Sequence, residues 1–271
     1  MTRETPRQAL LAVLVTAIVC SSVVSAAVVM LRPIQLNHLL LDRSRDIMQL
    51  TGLLGPGQAL EDEQMVRLYR SLDLRLVHID TAEFDDGHDA VTFDPRRAAA
   101  DPELGVEVPA EQDVASLGRR SRLAPVYLVW RDDELDRVIL PVHGAGMWSV
   151  LRGFIALEGD LNTIAGMTFY EQNETPGLGD QVTHQHWLDQ WAGRRIFDAE
   201  GGIGFRVSAG QVEEGSGAAI HQVDALTGAT ITGNAVTAMM QYWFGPHGYR
   251  DFLAALRDDP PTRPPGGGSD G

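Results

Sequence analysis

The sequence predicts an α+β fold in which a single amino-terminal transmembrane helix precedes a domain with an antiparallel or mixed sheet and flanking helices. Three observations support this prediction. Residues 9–31 form an uncharged apolar run, residues 125–171 contain strand-like segments separated by turn residues, and helix-like segments follow them. A chain of 271 residues is long enough for one sizeable domain with appendages.

The apolar run 9–31 contains no proline and matches the roughly 20 residues that a helix needs to cross a bilayer. The preceding arginines Arg3 and Arg7 and the small residues at 25–27 leave a cleaved signal peptide as the alternative. We expect an uncleaved anchor, because the run is longer than the roughly 7 to 15 apolar residues of a signal peptide. Arginines lie on both sides of the run, so charge does not decide its orientation.

Composition excludes several classes of function. The formal net charge of −15 excludes a strong general affinity for nucleic acid, because phosphate binding needs clustered lysine and arginine. Cys20 is the only cysteine and lies within the predicted span. A chain with one cysteine has no intrachain disulfide and no zinc or iron–sulfur site built from several cysteines.

Hydrophobic periodicity divides the rest of the chain into segments. We predict a membrane anchor at 1–33, juxtamembrane helices with the first part of an extracytoplasmic domain at 34–123, the main domain at 124–258 and a disordered tail at 259–271. The predicted helices are 34–54, 61–72, 180–196, 232–244 and 252–257. The predicted strands are 74–80, 90–93, 126–131, 136–142, 147–158, 162–171 and 204–208, and 94–122 reads as loop with a possible short helix.

The heptapeptide DALTGAT, residues 224–230, directly precedes one predicted helix. The free N–H groups of a first helical turn bind phosphate, so a phosphate carried by the Thr230 hydroxyl would lie where its charge is stabilised. Gly228 and Ala229 are small and allow close approach to the main chain. An ordinary helix cap at Thr227 or Thr230, worth about 1 kcal/mol, is the alternative.

The motif resembles the flavinylation motif of proteins that carry FMN as a phosphoester on threonine. In that family the last threonine receives FMN from FAD through a separate flavin transferase. The resemblance implies that Thr230 is the attachment residue. It also implies that Asp224, Thr227, Gly228 and Ala229 complete the motif, and that Asp224 belongs to the sequence that the transferase recognises.

Three further stretches narrow the family: MWSVLRGFIALEGDLNTIAG, GMTFYEQNETPGLGDQV and FDAEGGIGFRV. They resemble the covalent FMN-binding subunit of the Na+-translocating NADH:quinone reductase. The corresponding flavin subunit of the RNF-type electron-transport complex shares the anchor and the threonine motif, but its chain is usually shorter. The resemblance therefore favours the subunit of the sodium-translocating enzyme.

Within these stretches, ETPGLG at 174–179 is typical of a turn between a strand and a helix. The resemblance implies that Glu174, Thr175, Gly177 and Leu178 line the flavin, with Leu178 against the ring. Trp148 is a further candidate, although a tryptophan on a strand is more often a core residue.

The pair His184 and His186 does not predict a metal site, because two residues apart they share a face only on a strand and no third ligand is evident. No P-loop and no GxGxxG stretch follows a strand. We therefore expect NADH to be oxidised by another subunit, and we assign no catalytic residue and no metal to this chain.

The resemblance implies an electron carrier without its own substrate site, part of an NADH:ubiquinone reductase (Na+-transporting). Its expected partners are the other subunits of a membrane redox complex and, during maturation, a flavin transferase. It also implies the bacterial inner membrane, with the amino terminus cytoplasmic and the main domain periplasmic. The alternatives are the flavin subunit of an RNF-type ferredoxin:NAD oxidoreductase, a free-standing tethered flavoenzyme, and a binding module without flavin.

Overall fold

The computed structural model describes residues 7, 10–11, 13–22, 24–25, 45–53, 60–70, 72–213 and 215–263. The chain forms two compact units, Met1–Ser44 and Arg45–Gly271. In the first unit the described residues are helical and exposed. None of the described helices is both long and apolar enough to span a bilayer. The other residues of the predicted span 9–31, residues 34–44 of the predicted juxtamembrane helix and residues 264–271 of the predicted tail lie outside the described residues.

An antiparallel sheet forms the centre of the second unit. The strands of the chain are β1 (Asp73–His78), β2 (Phe84–Asp85), β3 (Gly105–Glu107), β4 (Arg119–Ser121), β5 (Leu123–Arg131), β6 (Glu134–Ala145), β7 (Val150–Glu158), β8 (Ile164–Glu171), β9 (Arg206–Val207) and β10 (Gln222–Val223). The main sheet has the order β2-β1-β5-β6-β7-β8, and every neighbouring pair is antiparallel. The antiparallel form of the fold prediction is confirmed.

Helices flank this sheet, as the sequence predicts. They are α1 (Asp62–Arg70), α2 (Pro95–Ala100), α3 (Gln185–Leu188), α4 (Thr230–Trp243) and α5 (Arg250–Asp258), and residues 45–50 are also helical. Short 3-10 turns lie at Gly179–Thr183, Asp189–Trp191 and Ala219–His221. The predicted apolar face of α4 is confirmed, because its members are all buried: Val236, Met239, Met240 and Trp243.

Both faces of the sheet are covered, because successive side chains along β6 belong to different core clusters. Leu140 belongs to the larger core, in which the sheet meets α4 and α5. Its neighbour Ile139 belongs to a smaller cluster with Ile47 and Phe154 on the other face. Successive side chains of a strand point to opposite faces, so the helical residues 45–50 close the face that α4 leaves open.

Several elements differ from prediction, including the unpredicted strands β2 and β10. Residues 90–93 form a turn and not a strand, because the Asp89 carboxylate accepts hydrogen bonds from the Val91 N–H and the Thr92 hydroxyl. Residues 94–122 contain α2, the predicted short helix, and also an unpredicted two-stranded sheet of β3 and β4. The predicted helix 180–196 is broken into short turns by the extended backbone of His184, with φ −74° and ψ 128°.

The carboxyl-terminal end of α4 is fixed to β6. The Trp243 indole N–H donates to the His143 carbonyl at 2.6 Å, and the Tyr249 hydroxyl donates to the Pro141 carbonyl at 2.8 Å. At the other end, a Cβ built on Gly179 would lie 2.8 Å from the Thr232 hydroxyl oxygen. The amino terminus of α4 therefore lies against the ETPGLG loop.

Candidate functional site

Residues 224–229 lead directly into α4 at Thr230. We call them the attachment loop, because the resemblance implies that a flavin is attached at Thr230. Ala229 occupies the cap position, and no side chain caps the helix. The structure therefore does not show the threonine cap that was the alternative for this motif. Thr230 is exposed, and its hydroxyl has no hydrogen-bond partner within the part of the chain that the structure describes. An uncapped helix start leaves its first N–H groups free to bind an anion.

Gly228 brings the attachment loop against the ETPGLG loop. Its φ is +74°, a conformation that residues with a Cβ rarely adopt, and an added Cβ would lie 2.8 Å from Leu178 Cδ2. Thr227 is exposed beside it, whereas Ala229 is buried. The small size of Gly228 thus serves close contact within the protein.

Glu174 joins three segments of the site. Its side chain is buried, with 5% of the residue exposed. Oε2 accepts a hydrogen bond from the Thr232 hydroxyl at 2.6 Å, and Oε1 accepts one from the Trp148 backbone N–H at 3.1 Å. The carboxylate therefore links the ETPGLG loop to α4 and to the turn between β6 and β7.

Trp148 stands on that turn and is 69% exposed. Trp148 is therefore not a core residue, and its role at the flavin stays a prediction. Its indole N–H donates to the Thr175 hydroxyl at 3.1 Å, which holds the exposed ring in one place. Leu178 on the ETPGLG loop and Ile231 in the first turn of α4 are also exposed. Exposed apolar side chains on neighbouring segments are candidates for a binding surface.

Gly177 shapes the loop through its backbone conformation. Its φ is +76°, and no atom lies within 4 Å of an added Cβ. The glycine is therefore required by the backbone conformation of the turn and not by the space around it.

Among the described residues, three side chains outside the predicted site form hydrogen bonds with the attachment loop: Gln181, Trp187 and Gln190. Their partners lie 46, 37 and 34 residues further along the chain. Sequence spacing does not reveal contacts at such separations. The only signal was the spacing of Trp187 and Trp191, which predicted a helix.

The strand ends behind the site carry a charged cluster. His143 on β6 pairs in register with Arg152 on β7, and Arg152 with Glu171 on β8. Burial, together with the charges of Arg152 and Arg96, lowers the pKa of His143 to about 3. The imidazole is therefore neutral at neutral pH.

His184 and His186 are both exposed on the broken helical segment. Among the described residues, no three His, Cys, Asp or Glu side chains form a group that could hold a metal ion.

Two local features fit a phosphate-linked flavin. Asp180 Oδ1, next to the ETPGLG loop, is a buried acceptor without a hydrogen-bond partner among the described residues. The exposed Thr230 hydroxyl stands at an uncapped helix start beside exposed apolar side chains. Such a site offers an attachment oxygen, N–H donors for a phosphate, and apolar side chains for a ring.

A family model described as an FMN-binding domain matches residues 146–245, which include Trp148, the ETPGLG loop and the attachment loop. The NqrC protein of Pseudomonas aeruginosa, a component of its Na(+)-translocating NADH-quinone reductase, is 42% identical over 256 residues, 94% of this chain and 97% of the relative. The same component from Vibrio parahaemolyticus is 40% identical over 246 residues, 89% of this chain and 91% of the relative.

Solved structures agree with these sequence relatives. The crystal structure of Shewanella oneidensis NqrC has a TM-score of 0.72 and 36% identity, covering 80% of this chain and 96% of that chain. The corresponding protein from Parabacteroides distasonis has a TM-score of 0.61 and 28% identity, covering 82% and 96%. The chain therefore belongs to the NqrC family of Na+-translocating NADH-quinone reductase subunits.

Proposed function

We propose that this chain carries FMN as a phosphoester on Thr230 and passes electrons through it within a Na+-translocating NADH-quinone reductase. The family and its FMN-binding domain support an FMN-carrying subunit of that oxidoreductase. The observation that carries the assignment to Thr230 is its exposed hydroxyl at the start of a helix without a side-chain cap. No helix-capping role competes for this threonine.

Attachment requires an exchange at phosphorus. The Thr230 oxygen would form a bond to the FMN phosphorus of FAD. The bond from that phosphorus to the bridging oxygen would break, AMP would leave with that oxygen, and the hydroxyl proton would be lost. A flavin transferase would catalyse this step. The first N–H groups of α4 would then stabilise the phosphate charge, because they are uncapped and lie at the positive end of the helix dipole.

Other site residues would position the ring. Leu178 and Trp148 present apolar surface at the attachment loop, and Thr175 fixes the indole through its hydroxyl. Glu174 links the Trp148 backbone to α4 through its two carboxylate oxygens. Gly177 forms the turn that follows Glu174 in the ETPGLG loop. When bound, FMN supplies reversible electron transfer, and the protein sets its position and environment.

The location follows from the same proposal. We place residues 9–31 across the bacterial inner membrane, with the amino terminus in the cytoplasm and the flavin domain in the periplasm. Other subunits of the complex would oxidise NADH and exchange electrons with the flavin. Transfer between redox centres weakens steeply with distance, so a covalent link and an anchor both keep the flavin near them.

The test is the mass of the full chain after co-expression with a flavin transferase. The denatured protein should retain visible flavin absorbance and the added mass of one esterified FMN, and peptide mapping should place that mass on Thr230. An unmodified mass in the presence of a transferase that modifies a second substrate would contradict the proposal. So would an FMN mass on a peptide without Thr230.

A further inference from the structure

The segment from Gly179 to Trp191, here called the clamp segment, runs beside the attachment loop. The loop itself has no helix or strand between Asp224 and Ala229. Buried or half-buried backbone N–H and C=O groups outside helices and strands need hydrogen-bond partners from other segments. Side chains of the clamp segment are several of these partners.

Gln190 bonds to Asp224 at two points. Its Oε1 accepts a hydrogen bond from the Asp224 backbone N–H at 2.9 Å, and its Nε2 donates to Asp224 Oδ2 at 3.3 Å. The other carboxylate oxygen of Asp224 accepts a hydrogen bond from the Val212 N–H at 2.6 Å. Both carboxylate oxygens are thus engaged within the folded domain.

Trp187 completes the contacts at this end of the loop. Its indole N–H donates to the Asp224 carbonyl at 2.9 Å, while its ring packs in the core against Trp191, with centroids 5.4 Å apart. A buried tryptophan is a rigid support, because close packing fixes its rotamer. Asp224 is therefore held through its N–H, its carbonyl and its carboxylate.

Gln181 holds the other end of the loop. Its Nε2 donates to the Thr227 carbonyl at 2.9 Å and to the Leu178 carbonyl at 2.7 Å. One side-chain amide therefore joins the attachment loop to the ETPGLG loop, three residues before Thr230.

We propose that Gln181, Trp187 and Gln190 are positioning residues for the flavin, acting through Asp224 and Thr227 on the placement of Thr230. The inference rests on FMN attachment at Thr230. It gives Asp224 a role in the folded domain, in addition to the transferase recognition that the resemblance implies. None of the three positioning residues lies in the threonine motif, so their substitution leaves that recognition sequence unchanged.

The test compares two charge-matched variants of the full flavinylated chain. Gln190→Glu is nearly isosteric but places a second carboxylate against Asp224, whereas Gln185→Glu adds the same charge to the same segment. Gln185 is a suitable control because its amide bonds to Asp189 at 2.6 Å and it makes none of the loop contacts described above. The readouts are the midpoint potential and the visible spectrum of the covalent flavin, with the melting temperature measured in parallel.

We expect Gln190→Glu to shift the midpoint potential and the spectrum, or to lower flavin incorporation in a folded protein, while Gln185→Glu matches the wild type. If Gln190→Glu does not fold, Gln181→Met removes the amide at the loop edge and is held to the same criterion. If the folded variant has the midpoint potential, visible spectrum and flavin incorporation of the wild type, the proposed positioning role is overturned but the proposed function is not. A wild type without FMN on Thr230 would overturn the proposed function, and the clamp with it.

Discussion

The two loops that meet at the site are stabilised in different ways. The ETPGLG loop carries its own anchor, because the buried Glu174 carboxylate bonds to α4 and to the turn that bears Trp148. The attachment loop depends on side chains from outside, and its last residues before Thr230 are small or exposed. One loop is part of the framework, and the other presents a hydroxyl on that framework. The difference separates a loop that is fixed by its own buried carboxylate from a loop that is fixed by side chains of another segment.

The largest expected effect is complete loss of covalent flavin in Thr230→Ala. The cost in stability should be below about 1 kcal/mol, because the Thr230 side chain caps nothing. Intact mass and thermal unfolding measure the two quantities. Thr92→Ala is the control, because this exposed threonine lies outside the motif, and it should still accept FMN. Covalent flavin in Thr230→Ala would place the attachment elsewhere.

Substitution of Glu174 should chiefly affect the fold. Glu174→Ala leaves the buried Thr232 hydroxyl and the Trp148 N–H without their acceptor, so we expect a loss of about 3 kcal/mol in the free energy of unfolding. Glu174→Gln retains one acceptor oxygen and should lose less. Urea denaturation of the unflavinylated protein provides the comparison. Equal stability of wild type and Glu174→Ala would remove the distinction between the loops.

We expect acid pH to lower the free energy of unfolding through His143 on β6. The pKa of His143 is lowered to about 3 in the folded protein, so below pH 6.5 the unfolded state binds a proton that the folded state does not. Stability from this group is present above pH 6.5 and decreases toward pH 3, by up to about 2 kcal/mol at pH 5. Denaturation midpoints from pH 7 to pH 5 measure the slope. His143→Gln should have the shallower slope, and identical slopes would contradict the assignment to this histidine.

The smallest expected effect is the difference between alanine substitutions of two glycines with similar backbone conformations. Gly228→Ala and Gly177→Ala both introduce strain at positive φ, at about 1 kcal/mol each. Only the Gly228 Cβ would also collide with Leu178, so Gly228→Ala should lose slightly more stability than Gly177→Ala. Because Gly228 belongs to the flavinylation motif, thermal unfolding of the two unflavinylated variants is the measurement. Equal losses in the two variants would show that backbone strain alone accounts for them.

Sequence alone predicts most of the sheet and its flanking helices. Those predictions are confirmed where the pattern is local: alternating strands, the apolar face of α4, and a helix that begins at the threonine motif. The roles of the residues in both loops stay predictions. The bonds of Gln181 and Gln190 were missed because they join residues 46 and 34 positions apart. The break at His184 was missed because the spacing of Trp187 and Trp191 suits a helix as well as a broken segment that buries both rings.

The most direct test of the account is an experimental structure of the flavinylated chain. We expect continuous electron density from Thr230 Oγ1 into a phosphate at the first N–H groups of α4. We also expect the isoalloxazine ring to contact Leu178 and Trp148. Gln190 should still bond to Asp224 in that structure. Density for the phosphate on another residue, or a ring that contacts neither Leu178 nor Trp148, would contradict the account.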